Sequence, residues 1–200
     1  MTFLFDIGKV LLDLDFATPL ARLLPPDCAN PLATLTVLLE KRHDLESGAM
    51  SADDYIAWAL QATRSTATPE EFISAWRAIF TPIEPMWATV GALSAAGHRL
   101  ILFSNTNSIH CPWVFAEFPQ FSLFPEAVLS FEVGAIKPQP AIYQYAIDRH
   151  GLDPDRTLYI DDLPENIATG RAFGFRCWLY DLTRHGAFEQ WLAEELRTAP

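Results

Sequence analysis

Apolar positions recur along this chain in two patterns. At the start, and again through the second half, they form short unbroken runs closed by glycine or by polar residues; from Phe16 to about Pro85 they follow helical spacing. Phe3, Leu4 and Phe5 run straight into Asp6, Gly8 follows two places on, and Val10, Leu11 and Leu12 come next. A run of this kind predicts a buried strand ending in a turn. In the middle block no strand is expected. Ser51 to Asp54 opens a helix carrying Tyr55, Trp58 and Leu60. Thr68-Pro69-Glu70-Glu71 opens the next, with Thr as cap, Pro in the first turn and Glu at the third position. Phe72, Trp76, Ile79 and Phe80 line one face of it, Trp58 and Trp76 are expected in the core of the helical unit, and Pro82 and Pro85 are expected to end the block.

Beyond Pro85 the patterns alternate. Trp87, Val90 and Leu93 predict a helix that stops at Gly97. Arg99–Phe103, Ala127–Phe131, Thr157–Ile160 and Phe175–Tyr180 predict strands. Pro140–His150, Pro164–Phe173 and Phe188–Arg197 predict helices, the first two closed by Gly151 and Gly174. Strands alternating with helices imply right-handed βαβ units, hence an α/β fold with a parallel sheet covered on both faces. The helical block lies between the first strand and the rest, so it is an insertion just after Asp6, able to lie over whatever the strand ends hold.

Composition narrows the picture. Half of the 200 residues are apolar and the net charge is −11, which argues against nucleic acid or an anionic membrane as partner. Cys28, Cys111 and Cys177 lie far apart and lack metal-site spacing, so they are expected reduced, in a cytoplasmic protein without structural zinc. The apolar start is broken at Asp6, which does not suit a signal peptide, and no stretch has the length of a membrane span. The chain holds only three lysines, Lys9, Lys41 and Lys137, against eleven arginines, so each lysine invites a question.

Ligands bind beyond the carboxyl ends of parallel strands. Four predicted strand ends carry Asp6; Ser104 with Asn105; Lys137, after a loop; and Asp161 with Asp162. Each alone is ordinary turn or cap chemistry. Together they describe phosphoryl transfer: a carboxylate nucleophile that becomes an aspartyl phosphate, a hydroxyl and an ammonium for the charged oxygens, and acids for a hard divalent cation. Magnesium prefers such oxygen ligands, for which Asp6, Asp162 and the Gly8 carbonyl are available.

The order Asp, Ser, Lys, Asp-Asp resembles the haloacid dehalogenase superfamily of phosphohydrolases. FDIGKVLLDLDF, LFSNTN, GAIKP and YIDDLPENI look like its four motifs, and the resemblance covers nearly the whole chain. It implies a Rossmann-like core, residues 1–15 and 86–200, and a helical cap, 16–85. It implies Asp6 as nucleophile, Ser104 and Lys137 as phosphate holders, and Asp162 as direct Mg2+ ligand supported by Asp161 and Asn166, with Asn105 and the Gly8 carbonyl at the site. FDxGxVL, Glu46 to Ser51 and Ser104 to His110 look most like small phosphatases of α-glucose 1-phosphate, so a small phosphorylated metabolite is the expected partner. Two departures stand out. Gly8 replaces the usual acid–base aspartate, and Lys9 follows it, either pairing with phosphate or pointing to solvent. His110 is a candidate acid or a structural group. Lys41, Arg42, His43 and Glu46 are candidate cap residues facing the site, or a solvated helix face. Rival readings are a 2-haloacid dehalogenase-type hydrolase, disfavoured by the acidic pair because such enzymes use no metal; a phospho-receiver domain, whose acidic pair comes early in the chain; and a catalytically impaired phospho-ligand-binding protein. Oligomeric state is left open.

Overall fold

A computed structural model describes residues 1–198. In chain order the strands are β1 (Thr2–Phe5), β2 (Leu12–Leu14), β3 (Phe80–Pro82), β4 (Arg99–Ser104), β5 (Glu126–Leu129), β6 (Thr157–Asp161) and β7 (Arg176–Leu179). The helices are α1 (Ala17–Ala21), α2 (Pro31–Thr36), α3 (Arg42–Glu46), α4 (Ala52–Ala62), α5 (Pro69–Arg77), α6 (Glu84–Ala95), α7 (Cys111–Glu117), α8 (Ser130–Val133), α9 (Pro140–His150), α10 (Pro164–Ala172) and α11 (His185–Thr198). Five strands form an all-parallel sheet in the order β5-β4-β1-β6-β7. The first strand is therefore the central one, and its end lies between the ends of β4 and β6. No helix among the described residues is long and apolar enough to cross a membrane.

Alternation along the strands divides the core into two layers. Phe3 and Phe5, with Leu100, Leu102, Leu158 and Ile160, pack with Val90 and Leu93 of α6 and Phe188 of α11 on one face. Leu4, Ile101, Phe103 and Tyr159 pack with Ile142, Tyr143 and Ile167 on the other. A third apolar cluster belongs to the insertion: Leu20, Leu38, Leu45, Tyr55, Phe72 and Trp76, joined by Ile109 from the loop after β4. The helix boundaries read from capping residues hold. Ser51 and Thr68 accept from the third backbone N–H of α4 and α5, the latter in a full capping box. Gly97, Gly151 and Gly174 all have positive φ just beyond α6, α9 and α10.

Three expectations need correction. The block from Phe16 to Pro85 does contain a strand: β3 pairs antiparallel with β2 where the chain enters and leaves the insertion. Three residues are too few to show a period, and Pro82, without an N–H, is tolerated only because this is an edge. Pro85 does not end the helical block but lies in the first turn of α6, where a missing N–H costs nothing. The strand expected over Ala127–Phe131 stops at Leu129, and Ser130 begins the short α8. Helix α7 was not anticipated either.

Gly48 shows how tightly the insertion is seated. It follows α3 with φ +72°, and a β-carbon there would lie inside the van der Waals envelope of the Phe131 carbonyl oxygen, at the start of α8. Gly48→Ala adds both a left-handed penalty and a backbone clash, and should cost about 2–4 kcal/mol in urea unfolding. A loss below about 0.5 kcal/mol, the ordinary range for surface substitutions, would mean that the two segments do not meet.

Candidate active site

Parallel pairing places three strand ends side by side. Asp6 is the first residue past β1, its N–H bonded to the Ile160 carbonyl at 3.0 Å. Ser104 ends β4 and Asp161 ends β6. Lys137 enters from the loop between α8 and α9 with a side chain 1% exposed. Its ammonium donates to Asp161 Oδ2 at 2.6 Å and to the Phe103 carbonyl at 2.7 Å, and lies 3.1 Å from Asp6 Oδ1. Burial alone would lower its pKa, but Asp161 and Asp6 together hold it above the ordinary lysine value. The Asn105 side chain fixes the Lys137 backbone, accepting from its N–H at 2.7 Å and donating to its carbonyl at 2.9 Å. Asn105 thus positions the lysine, and its amide is spent in doing so.

The adjacent acids differ sharply. Asp161 is fully buried and accepts from Lys137, from the Tyr159 hydroxyl at 2.5 Å, from Leu163 N–H at 2.9 Å and from Asn166 Nδ2 at 3.0 Å. Burial opposes its charge, but these donors, led by Lys137, hold its pKa below the ordinary value. Asp162 is half-buried, and its side chain accepts no such set of bonds. Burial, then the charges of Asp6 and Asp161, push it up to about 7. Asp6 is raised too, by burial and Asp161, with Lys137 and the facing Ser104 hydroxyl in opposition.

Ligand oxygens of Asp6, Asp161 and Asp162 lie within 4.8 Å of one another. One ammonium stands against three carboxyls, and two of these resist ionisation. An all-oxygen group with surplus negative charge fits a hard cation. Because Asp161 is consumed by its donors, Asp162 and Asp6 are the carboxylates free to bind one.

The remaining expected residues divide. Gly8 lies in the turn after Asp6, and a β-carbon there would only touch Leu14, at 3.5 Å, so a side chain has room. Lys9, with φ +56°, pairs its half-exposed ammonium with Asp13 at 2.5 Å and the Leu14 carbonyl at 3.2 Å, at the edge of the site. The expectation that His110 supplies a proton meets a physical obstacle. Its Nε2 bonds the Trp76 carbonyl at 3.1 Å and must therefore be the donor, leaving Nδ1 to accept from Asn107 at 3.2 Å. The ring stacks on Trp76, and burial pushes it down to about 3, so it stays neutral and structural.

A cavity of about 400 Å³ opens beside the strand ends, floored by Ser104, Asn105 and the turn Ile7–Lys9 and walled by the insertion. Of the four candidate cap residues, Arg42 and Glu46 line it, whereas Lys41 pairs with Asp44 at its surface. Burial pushes Glu46 up to about 7, against the pull of Arg42 at 3.6 Å and with help from the charge of Asp6. Periodicity marked Glu46 only as one of several polar residues; its desolvation comes from packing.

Comparison with known proteins bears on the family and the fold. The family described as haloacid dehalogenase-like hydrolase matches residues 1–174. A D-ribitol-5-phosphate phosphatase of Bacteroides thetaiotaomicron is 27% identical over 185 residues, covering 86% of this chain and 87% of its own. A phosphoglycolate phosphatase of Haemophilus influenzae is 32% identical over 95 residues, 48% of this chain and 42% of its own. In fold, the chain superposes with a TM-score of 0.77 on a HAD family enzyme of B. thetaiotaomicron solved with magnesium and inorganic phosphate, at 20% identity over 90% of this chain and 94% of that one.

The acids predict a pH-dependent cation response. A carboxyl raised from its ordinary 3.8 to about 7 costs the cation-free protein stability as pH climbs through that window, and must lose its proton to bind metal. Added magnesium should therefore raise Tm clearly at pH 8 and far less at pH 6, and Asp162→Asn should remove the shift. Equal shifts at the two pH values would contradict Asp162 as a ligand.

Proposed function

This chain belongs to the haloacid dehalogenase-like hydrolases, and we propose that it is a magnesium-dependent phosphoric monoester hydrolase acting on a small phosphorylated metabolite through an aspartyl-phosphate intermediate. The observation that carries the reading is the Asp6–Lys137–Asp161 cluster with the freer Asp162 beside it. A relative named as a phosphatase over most of its length supports it. Residues 16–85 act as the cap over the core's strand ends.

In this mechanism Asp6 attacks phosphorus, the ester oxygen leaves with the alcohol, and water then releases inorganic phosphate from Asp6. Ser104 and Lys137 donate to the phosphoryl oxygens, where charge builds up in transfer. Asp161, Asn105 and Asn166 hold that frame. Asp6, Asp162 and the Gly8 carbonyl would hold Mg2+, which neutralises charge on the phosphoryl oxygens when bound.

Gly8 leaves the departing oxygen without the usual acid. Glu46 is the carboxyl in the same cavity that keeps its proton near neutral pH, and it takes this role. The motif likeness at Glu46–Ser51 and Ser104–His110, and the ribitol-5-phosphate relative, favour a sugar phosphate such as glucose 1-phosphate. The cavity wall is the observation against it.

Asp6→Asn should abolish phosphate release with the fold intact by circular dichroism, and excess chelator should do the same to the unmodified enzyme. Persistence of activity in the variant would remove Asp6 from the nucleophile role; full phosphate release in chelator would overturn the metal requirement. Glu46→Gln should slow hydrolysis of alkyl phosphates by about 10²–10³-fold, and of acetyl phosphate, whose leaving group needs no proton, by much less. Equal losses on both would show that Glu46 does not protonate the leaving oxygen.

A further inference from the structure

The cap builds most of the cavity wall, and it builds it from apolar groups. Phe16, Leu38, Leu45, Trp76, Ile79 and Phe80 face the space between the insertion and the strand ends. Most of the polar side chains that also line it are already committed. The Asn105 amide is spent on the Lys137 backbone. The Asn107 carbonyl oxygen accepts from the N–H groups of Ile109 and His110, both at 3.1 Å, and its amide faces His110. Thr106 and Cys111 bond to each other at 3.2 Å. His110 is closed by Trp76 and Asn107, and the half-exposed Lys9 pairs with Asp13 at the rim. Glu46 and Arg42, a loose pair at 3.6 Å, keep hydrogen-bonding capacity, and so does the buried indole N–H of Trp76, which has no partner among the described residues.

The two stretches that resemble sugar-phosphate enzymes are used here for architecture. Gly48 lets the chain after α3 meet the Phe131 backbone, and Asn107 and His110 tie the loop after β4 to Trp76 of the cap. In this structure those residues fasten the cap.

A polyol brings a hydroxyl on nearly every carbon. Carried into this space, most of these hydroxyls would give up water and find no partner. We propose that the substrate is the phosphate monoester of a mainly apolar, ring-sized alcohol, aryl or arylalkyl, with at most one polar function placed to meet Arg42, and that polyhydroxylated sugar phosphates are poor substrates. The inference deepens the phosphatase reading and rests on it. A volume of about 400 Å³ is at the small end for ligand sites and accommodates one substituted ring with its phosphate.

The test compares benzyl phosphate with glucose 6-phosphate and ribitol 5-phosphate. All three are esters of primary alcohols, so leaving-group acidity is nearly matched, and acetyl phosphate serves as a substrate too small to use the wall. An apolar pocket rejects even one added hydroxyl by on the order of 10²-fold, so kcat/KM for benzyl phosphate should exceed that for either polyol by at least about 10²-fold. Phe16→Asn should narrow that ratio by about tenfold or more; should it fail to fold, Leu39→Asn, at a half-exposed lining position, makes the same comparison. Hydrolysis of acetyl phosphate with polyols equal to or better than benzyl phosphate would overturn the proposal and leave the phosphatase standing. No phosphate release from any of the four, magnesium present, would overturn both.

Discussion

Everything at this site depends on one buried ammonium. Lys137 has almost no contact with solvent, yet it is charged, because Asp6, Asp161 and the Phe103 carbonyl surround it. A buried ion pair is tolerated only when its geometry is good and its remaining hydrogen-bonding positions are filled. Here Tyr159, Leu163 and Asn166 fill those of Asp161, and Asn105 locks the lysine's backbone. The same contacts join the ends of β1, β4 and β6, so the frame that holds the sheet's open end together is also the frame that meets a phosphoryl group.

That frame is deliberately unbalanced. One ammonium contacts Asp161 and Asp6 directly and reaches Asp162 only as the weakest of its influences. Burial first, and then the neighbouring carboxylates, raise Asp6 and Asp162 and make them reluctant to ionise together. A cation relieves that reluctance.

Division of labour follows from the topology. The core presents charge at the strand ends, while the insertion, tied on by the β2–β3 ribbon and clasped by the loop after β4, presents an apolar wall.

Much was legible in the sequence. Strand ends announce themselves as apolar runs stopping at polar residues, so Asp6, Ser104 and Asp161–Asp162 could be placed on a parallel sheet from local pattern, and caps at Ser51, Thr68 and Gly151 set helix limits within a residue or two. Lys137 was found through its motif context. Short elements escaped: β3 and α8 span fewer residues than a period needs, and tertiary contacts, not propensity, stabilise them. Partner choice escaped as well. Nothing local says that Lys9 reaches Asp13, that His110 is sealed against Trp76, or that Asp161 is spent while Asp162 is free. Those distinctions, like the desolvation of Glu46 and the apolar lining of the cavity, arise from which surfaces the fold brings together and how much water it removes. The chain's own order determined which groups stand at the strand ends; only the packed structure decided which of them remain unsatisfied, and therefore able to act.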